Sequence, residues 1–92
     1  MSTIPDDINK ISGRNKEMEI LRTAIIAEYD AINLYEQMAE FSSDLNVKKV
    51  LLDIANEEKQ HIGEFETLLK NIDLEHQHFK EKGKEEVENL VK

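Results

Sequence analysis

Apolar residues recur along this chain at helical spacing. Between residues 16 and 41 they fall at Met18, Leu21, Ile25, Ile32, Tyr35 and Ala39, in steps of three and four once position 28, filled by Glu, is counted, with no Gly or Pro in the stretch. That period is one face of an α-helix. Its expected start follows Asn15, a residue suited to capping the first free N–H groups, with Glu17 and Glu19 well placed in the opening turns. Ser42, Ser43, Asp44 and Asn46 interrupt the pattern, and Ser43 or Asp44 can cap a second helix over residues 45–70. So short a link makes the two helices antiparallel neighbours. The pattern breaks again from Asn71 to Asp73, with Asp73 as the next cap, and a third helix covers residues 74–91. Its apolar positions are sparse (Leu74, Phe79, Val87, Leu90, Val91) and Gly83 sits in its middle, so it reads as a peripheral arm that docks onto a neighbouring chain. The expected organisation is a loose leader over residues 1–14, a helical hairpin over 15–71 and an arm over 72–92. The fold class is all-α, an antiparallel two-helix hairpin plus a shorter C-terminal helix.

Composition narrows what such a chain can be. Ninety-two residues, 39% hydrophobic and 35% charged, with no Trp, leave a thin core, so association between copies is expected. There is no Cys, which removes disulfides and thiolate metal sites together. Twenty acidic against 12 basic residues give a net charge of −8, which argues against nucleic acid as a partner and for attraction of cations. No apolar run approaches the roughly 18 residues of a membrane span, and residues 1–10 lack a hydrophobic signal core. The expectation is a soluble protein with no membrane partner and no visible export signal.

Two acids stand on the apolar faces. Glu58 lies within about 80° of Leu51, Ile54, Ile62, Phe65 and Leu68 on its helix, and His61, three residues on, points to the same side. Glu28 is set in the same way among Leu21, Ala24, Ile25, Ile32, Tyr35 and Ala39. A buried, unpaired carboxylate costs at least several kcal/mol, so such positions call for a partner. Counted from the turn, Glu28 and Glu58 come level across the hairpin to within ~3 Å. One Glu on one helix and a Glu-x-x-His on another is half of a di-iron carboxylate site, and two chains related by a two-fold axis supply the whole inventory, completing a four-helix bundle. Four carboxylates balance two divalent cations, and this oxygen and imidazole set suits iron or manganese. The bland reading pairs Glu28 with Lys59 or another cation and makes His61 a core histidine.

Other candidates are weaker. Tyr35, two turns after Glu28 on the same face, can hydrogen-bond a site ligand or simply pack. Glu57 and Glu64 flank the motif on a more solvated side, and Asp30 lies across the helix from Glu28. Glu75 and His78, with His76 between them, repeat the Glu-x-x-His spacing but lack an apolar stripe and a partner acid. Gly63 costs roughly 1 kcal/mol against Ala inside a helix. It reads either as room for another helix or a metal ligand, or as a tolerated defect.

The runs Ala24-Ile25-Ile26-Ala27-Glu28-Tyr29-Asp30-Ala31-Ile32-Asn33-Leu34-Tyr35 and Ile54-Ala55-Asn56-Glu57-Glu58-Lys59-Gln60-His61 resemble the encapsulated ferritins. These are short, rubrerythrin-like members of the ferritin-like superfamily, and the likeness extends to the ferritin-like domain fused ahead of some archaeal encapsulin shells. The resemblance spans residues 17–71. It implies a helical hairpin with a shorter C-terminal helix, a di-iron ferroxidase centre formed only when two chains pair, and assembly of the pairs into an annular decamer. It makes Glu28, Glu58 and His61 the iron ligands and Tyr35 the nearby tyrosine. The implied activity is oxidation of Fe(II) by O2, supplying iron to an encapsulin nanocompartment in the cytoplasm. Two departures stand out. The position before the first ligand, an acid in related members' metal-access site, is Ala27 here, while Asp30 keeps the acid two residues after it. Residues 86–92 carry no obvious shell-targeting peptide, which points to another mode of loading, a fusion or a shortened chain. Two other functions compete. One is a peroxide-consuming di-metal enzyme of the rubrerythrin or manganese type, weakened by the lack of a Cys-rich electron-transfer segment. The other is a metal-free helical oligomerisation module.

Overall fold

The structure, a computed structural model, describes residues 13–92. Helix α1 spans Gly13–Phe41, α2 Leu45–Ile72 and α3 Leu74–Leu90, and the described residues contain no strand. The all-α hairpin with a shorter third helix is therefore the fold found. Of the expected leader, residues 1–12 lie outside the described residues. Helix α1 already includes Gly13, so Asn15 lies within its first turn and does not cap it. The preference of Asn for caps is a small bias that a continuing helix overrides.

The first break is built as a cap. Asp44 has extended dihedrals, and its Oδ1 accepts from the N–H groups of Asn46 at 2.8 Å and Val47 at 3.1 Å. The hydroxyl of Ser42 accepts from the Asp44 N–H at 3.2 Å and donates to its carbonyl at 3.1 Å, tightening the turn. Asp44, not Ser43, is the capping residue. The second break is shorter than the residue pattern predicts, because α2 continues through Asn71 and Ile72. Asp73 alone joins the helices: its N–H donates to the Leu69 carbonyl at 2.9 Å, and its Oδ1 accepts from the His76 N–H at 3.0 Å. Its other oxygen takes a 2.8 Å hydrogen bond from Arg22 of α1. One buried side chain thus ends α2, starts α3 and ties both to the hairpin.

Ile32 and Ala39 of α1 close on Ala55, Ile62 and Leu69 of α2, and these form the buried hydrophobic core of the described residues. Alanine at two of those positions lets the helix backbones come close. The apolar stripes are wider than the seam they form. Val47, Val50 and Leu68 remain between 48% and 58% exposed, and Ile54 and Phe65 are half-buried. Helix α3 meets α2 beside the corner and nowhere brings its backbone within 8 Å of that of α1. The chain measures 47 × 43 × 18 Å with a radius of gyration of 16.8 Å. A compact chain of this length would have about 12 Å. This is a thin, angled slab with apolar surface left over.

Candidate metal centre

Helix α1 carries Glu28 and α2 carries Glu58 and His61, and the short turn sets a register that puts all three together. His61 Nδ1 lies 3.2 Å from Glu28 Oε2 and 3.7 Å from Glu58 Oε2. One ligating atom from each residue falls within 4.8 Å of the other two. Ile62 turns into the seam, and its neighbour His61 is rotated about 100° from it, toward the open side of the slab. The side chains of Glu28 and Glu58 are 20% and 18% exposed, that of His61 45%. The acids form a sheltered floor and the imidazole an accessible wall.

The electrostatics are those of a cluster short of positive charge. The hydrogen bond to Glu28 pushes the Glu58 carboxyl above its ordinary range, burial and the Glu28 charge add to this, and His61 opposes it. His61 is also raised, first by its hydrogen bond to Glu28 and then by the charges of Glu28, Glu58 and Glu64, against some desolvation. Lys59 does not relieve the acids. Its ammonium sits 3.2 Å from Glu36 Oε2 and 3.5 Å from Asn56 Oδ1. Of the bland reading, the Lys59 pairing is not found, but Glu28 does meet a group that can carry positive charge, His61 at 3.2 Å; at 45% side-chain exposure His61 is not a core histidine.

The remaining candidates separate cleanly. Tyr35 is half-buried, and no hydrogen bond joins it to the three residues. Glu57, Glu64 and Asp30 are exposed. So are Glu75, His76 and His78; the last makes an edge contact with Phe79 at 5.2 Å between ring centres. Among the described residues, Glu28, Glu58 and His61 are the only such trio close enough to hold one ion. A Cβ built on Gly63 would meet nothing within 4 Å, so within the single chain nothing approaches this glycine closely. The contact that sequence reasoning missed is Arg22–Asp73. Its partners are 51 residues apart, and Asp73 was legible only as a cap.

The family model of Rubrerythrin matches residues 19–92. This chain belongs to the rubrerythrin family. Within that family it is 56% identical, over 93 residues, to a ferritin-like-encapsulin shell fusion protein of Pyrococcus furiosus. The match takes in 99% of this chain but 27% of that protein, so the rubrerythrin-family chain spans about a quarter of the relative's length. It also superposes on the crystal structure of the encapsulated ferritin domain from Pyrococcus furiosus with a TM-score of 0.83 and 57% identity, covering 87% of this chain and 82% of that one. The ferritin-like helical fold of this rubrerythrin-family member is shared with that domain.

Proposed function

We propose that this chain supplies half of a ferroxidase centre that oxidises Fe(II) to Fe(III) with O2, the other half coming from a second copy across a two-fold axis. The observation that carries this reading is the convergence of Glu28, Glu58 and His61 within 4.8 Å, two carboxylates to one imidazole, with the Lys59 ammonium held by Glu36 instead. Hard carboxylate oxygens and one imidazole nitrogen fit iron, and also manganese. Two irons between two chains meet four carboxylates and two histidines, the inventory of ferritin-like di-iron sites. Fe(II) is the substrate and electron donor. Loading requires Glu58 and His61 to give up the protons that their surroundings help them hold, so uptake is coupled to proton release. The apolar stripe beside the trio, with Val50, Ile54, Phe65 and Leu68, is the surface that would close over it and exclude water. Tyr35 would hydrogen-bond a site ligand once the second chain is in place. The pairs would assemble further, as an annular decamer. The relative's fusion to an encapsulin shell supports delivery of Fe(III) to such a nanocompartment in the cytoplasm.

The test is a titration of metal-free protein with Fe(II) under air, following Fe(III) absorbance and oligomer size together. Oxidation that saturates near one iron per chain (two per shared site), accompanied by metal-promoted pairing, is the expected result. Oxidation at the buffer rate with unchanged size would sink the reading. Hydrogen peroxide turnover far above Fe(II) turnover would replace it with a peroxide-consuming enzyme.

A further inference from the structure

Lys59 follows Glu58 directly, yet its ammonium is held away from the acidic cluster. In the hairpin, Glu28 comes level with residues 58–61, so the backbone of Lys59 lies beside Glu28. Its contact, Glu36, is eight residues further along α1, about 12 Å by helical rise. Side chains on a helix lean toward its N-terminus, and in an antiparallel pair this brings Lys59 and Glu36 together from opposite sides. Asn56, one turn back on α2, takes a second contact from the ammonium at 3.5 Å. Both partners are about half exposed, so the lysine stem is free to swing. Glu28 and Glu58, with more negative charge than His61 can balance, lie level with the Lys59 backbone and offer its ammonium another anchor. An ammonium there would take the charge that a divalent ion needs.

We propose that Glu36 is a positioning residue that captures the Lys59 ammonium and so keeps the Glu28–Glu58–His61 cluster open to a divalent cation. The inference rests on the metal-site reading. It assigns Glu36 no contact with the ion; its effect passes entirely through Lys59.

The experiment is an anaerobic titration of metal-free protein with Co(II), a probe that needs no O2, in wild type, Glu36→Gln, Lys59→Gln and the double variant. Glu36→Gln is expected to weaken Co(II) binding roughly five- to tenfold, the scale of one charge-assisted contact competing for a carboxylate. Lys59→Gln should bind as tightly as wild type or slightly tighter, and the double variant should match Lys59→Gln. The penalty of losing Glu36 thus vanishes when Lys59 is absent, a non-additivity that only direct competition produces. An equal penalty in both backgrounds would make Glu36 a distant negative charge and overturn the proposal, as would no penalty at all. Co(II) binding unaffected by Glu28→Ala would instead defeat the metal-site reading itself. A crystal structure of metal-free Glu36→Gln then decides the capture: Lys59 within 4 Å of Glu28 or Glu58 upholds it, and Lys59 still turned away ends it.

Discussion

Two sheltered carboxylates in this molecule meet opposite surroundings. At the corner, Asp73 accepts from the Arg22 guanidinium at 2.8 Å and from the His76 N–H at 3.0 Å. The arginine bond first, then the backbone bond, hold its carboxyl below the usual range, against the pull of burial. In the middle of the hairpin, Glu58 meets a second acid, and its carboxyl is raised. The corner is complete within one chain and stores its free energy as structure. The centre gathers two carboxylates about one imidazole, and on the proposed reading the remaining negative charge is met by a cation that arrives from outside.

The contrast breaks most sharply at the centre. Glu28→Ala or His61→Ala should lower the initial rate of Fe(II) oxidation at least about 100-fold, by removing a ligand from each metal position. Far-UV circular dichroism should stay that of the intact hairpin, since neither residue belongs to the buried seam. Full activity in either variant would reduce the trio to a chance cluster.

The corner should answer with stability instead. Asp73→Ala removes the cap of α3 and the anchor of Arg22. Because the arginine is half exposed, its share is discounted, and the expected loss is about 2 kcal/mol in denaturant unfolding. Oxidation per assembled pair should be untouched, and a large catalytic loss would merge the two regions into one.

Acidity sharpens the contrast further. Asp73 binds fewer protons folded than unfolded, so its contribution is present above the unfolded carboxylate value of about 3.9 and lost as pH falls through its lowered folded value. Glu58 and His61 hold their protons more tightly when folded. Their contribution is complete below their unfolded values and lost as pH rises through the raised ones. Metal-free protein should therefore lose stability on both flanks, while added metal restores it increasingly as pH rises through the raised values of Glu58 and His61 and the metal displaces those protons. A metal effect independent of pH would contradict this competition between metal and protons.

The smallest effect is expected at a residue belonging to neither region. Gly63→Ala should stabilise the hairpin by about 0.5–1 kcal/mol, because the new methyl meets open space. Weaker association of copies in this variant would show that a partner, absent from the single chain, packs there.

How much could be read in advance follows from the range of each interaction. The helices and the level placement of Glu28 and Glu58 depend on spacing within one helix and on a three-residue turn, both local properties of the chain. His61 was legible for the same reason, since three residues on a helix put it beside Glu58. Arg22 was not, because its partner lies at the far end of another helix and nothing near it in the chain marks it. Asn15 misled because a cap-forming residue is only biased toward ends. The rival pairing of Lys59 with Glu28 was chemically sound, and only the direction in which helical side chains lean decides for Glu36.

The single-residue joint at Asp73 also bears on how the chain would be cut. A protease needs several residues of extended, accessible backbone, and the 42–44 turn, with Ser43 and Asp44 exposed, comes nearest to offering it. Asp73 is buried and bonded on every side, so α2 and α3 share no slack. However far α3 projects from the hairpin, it leaves at a set angle, more like a bracket than a tether.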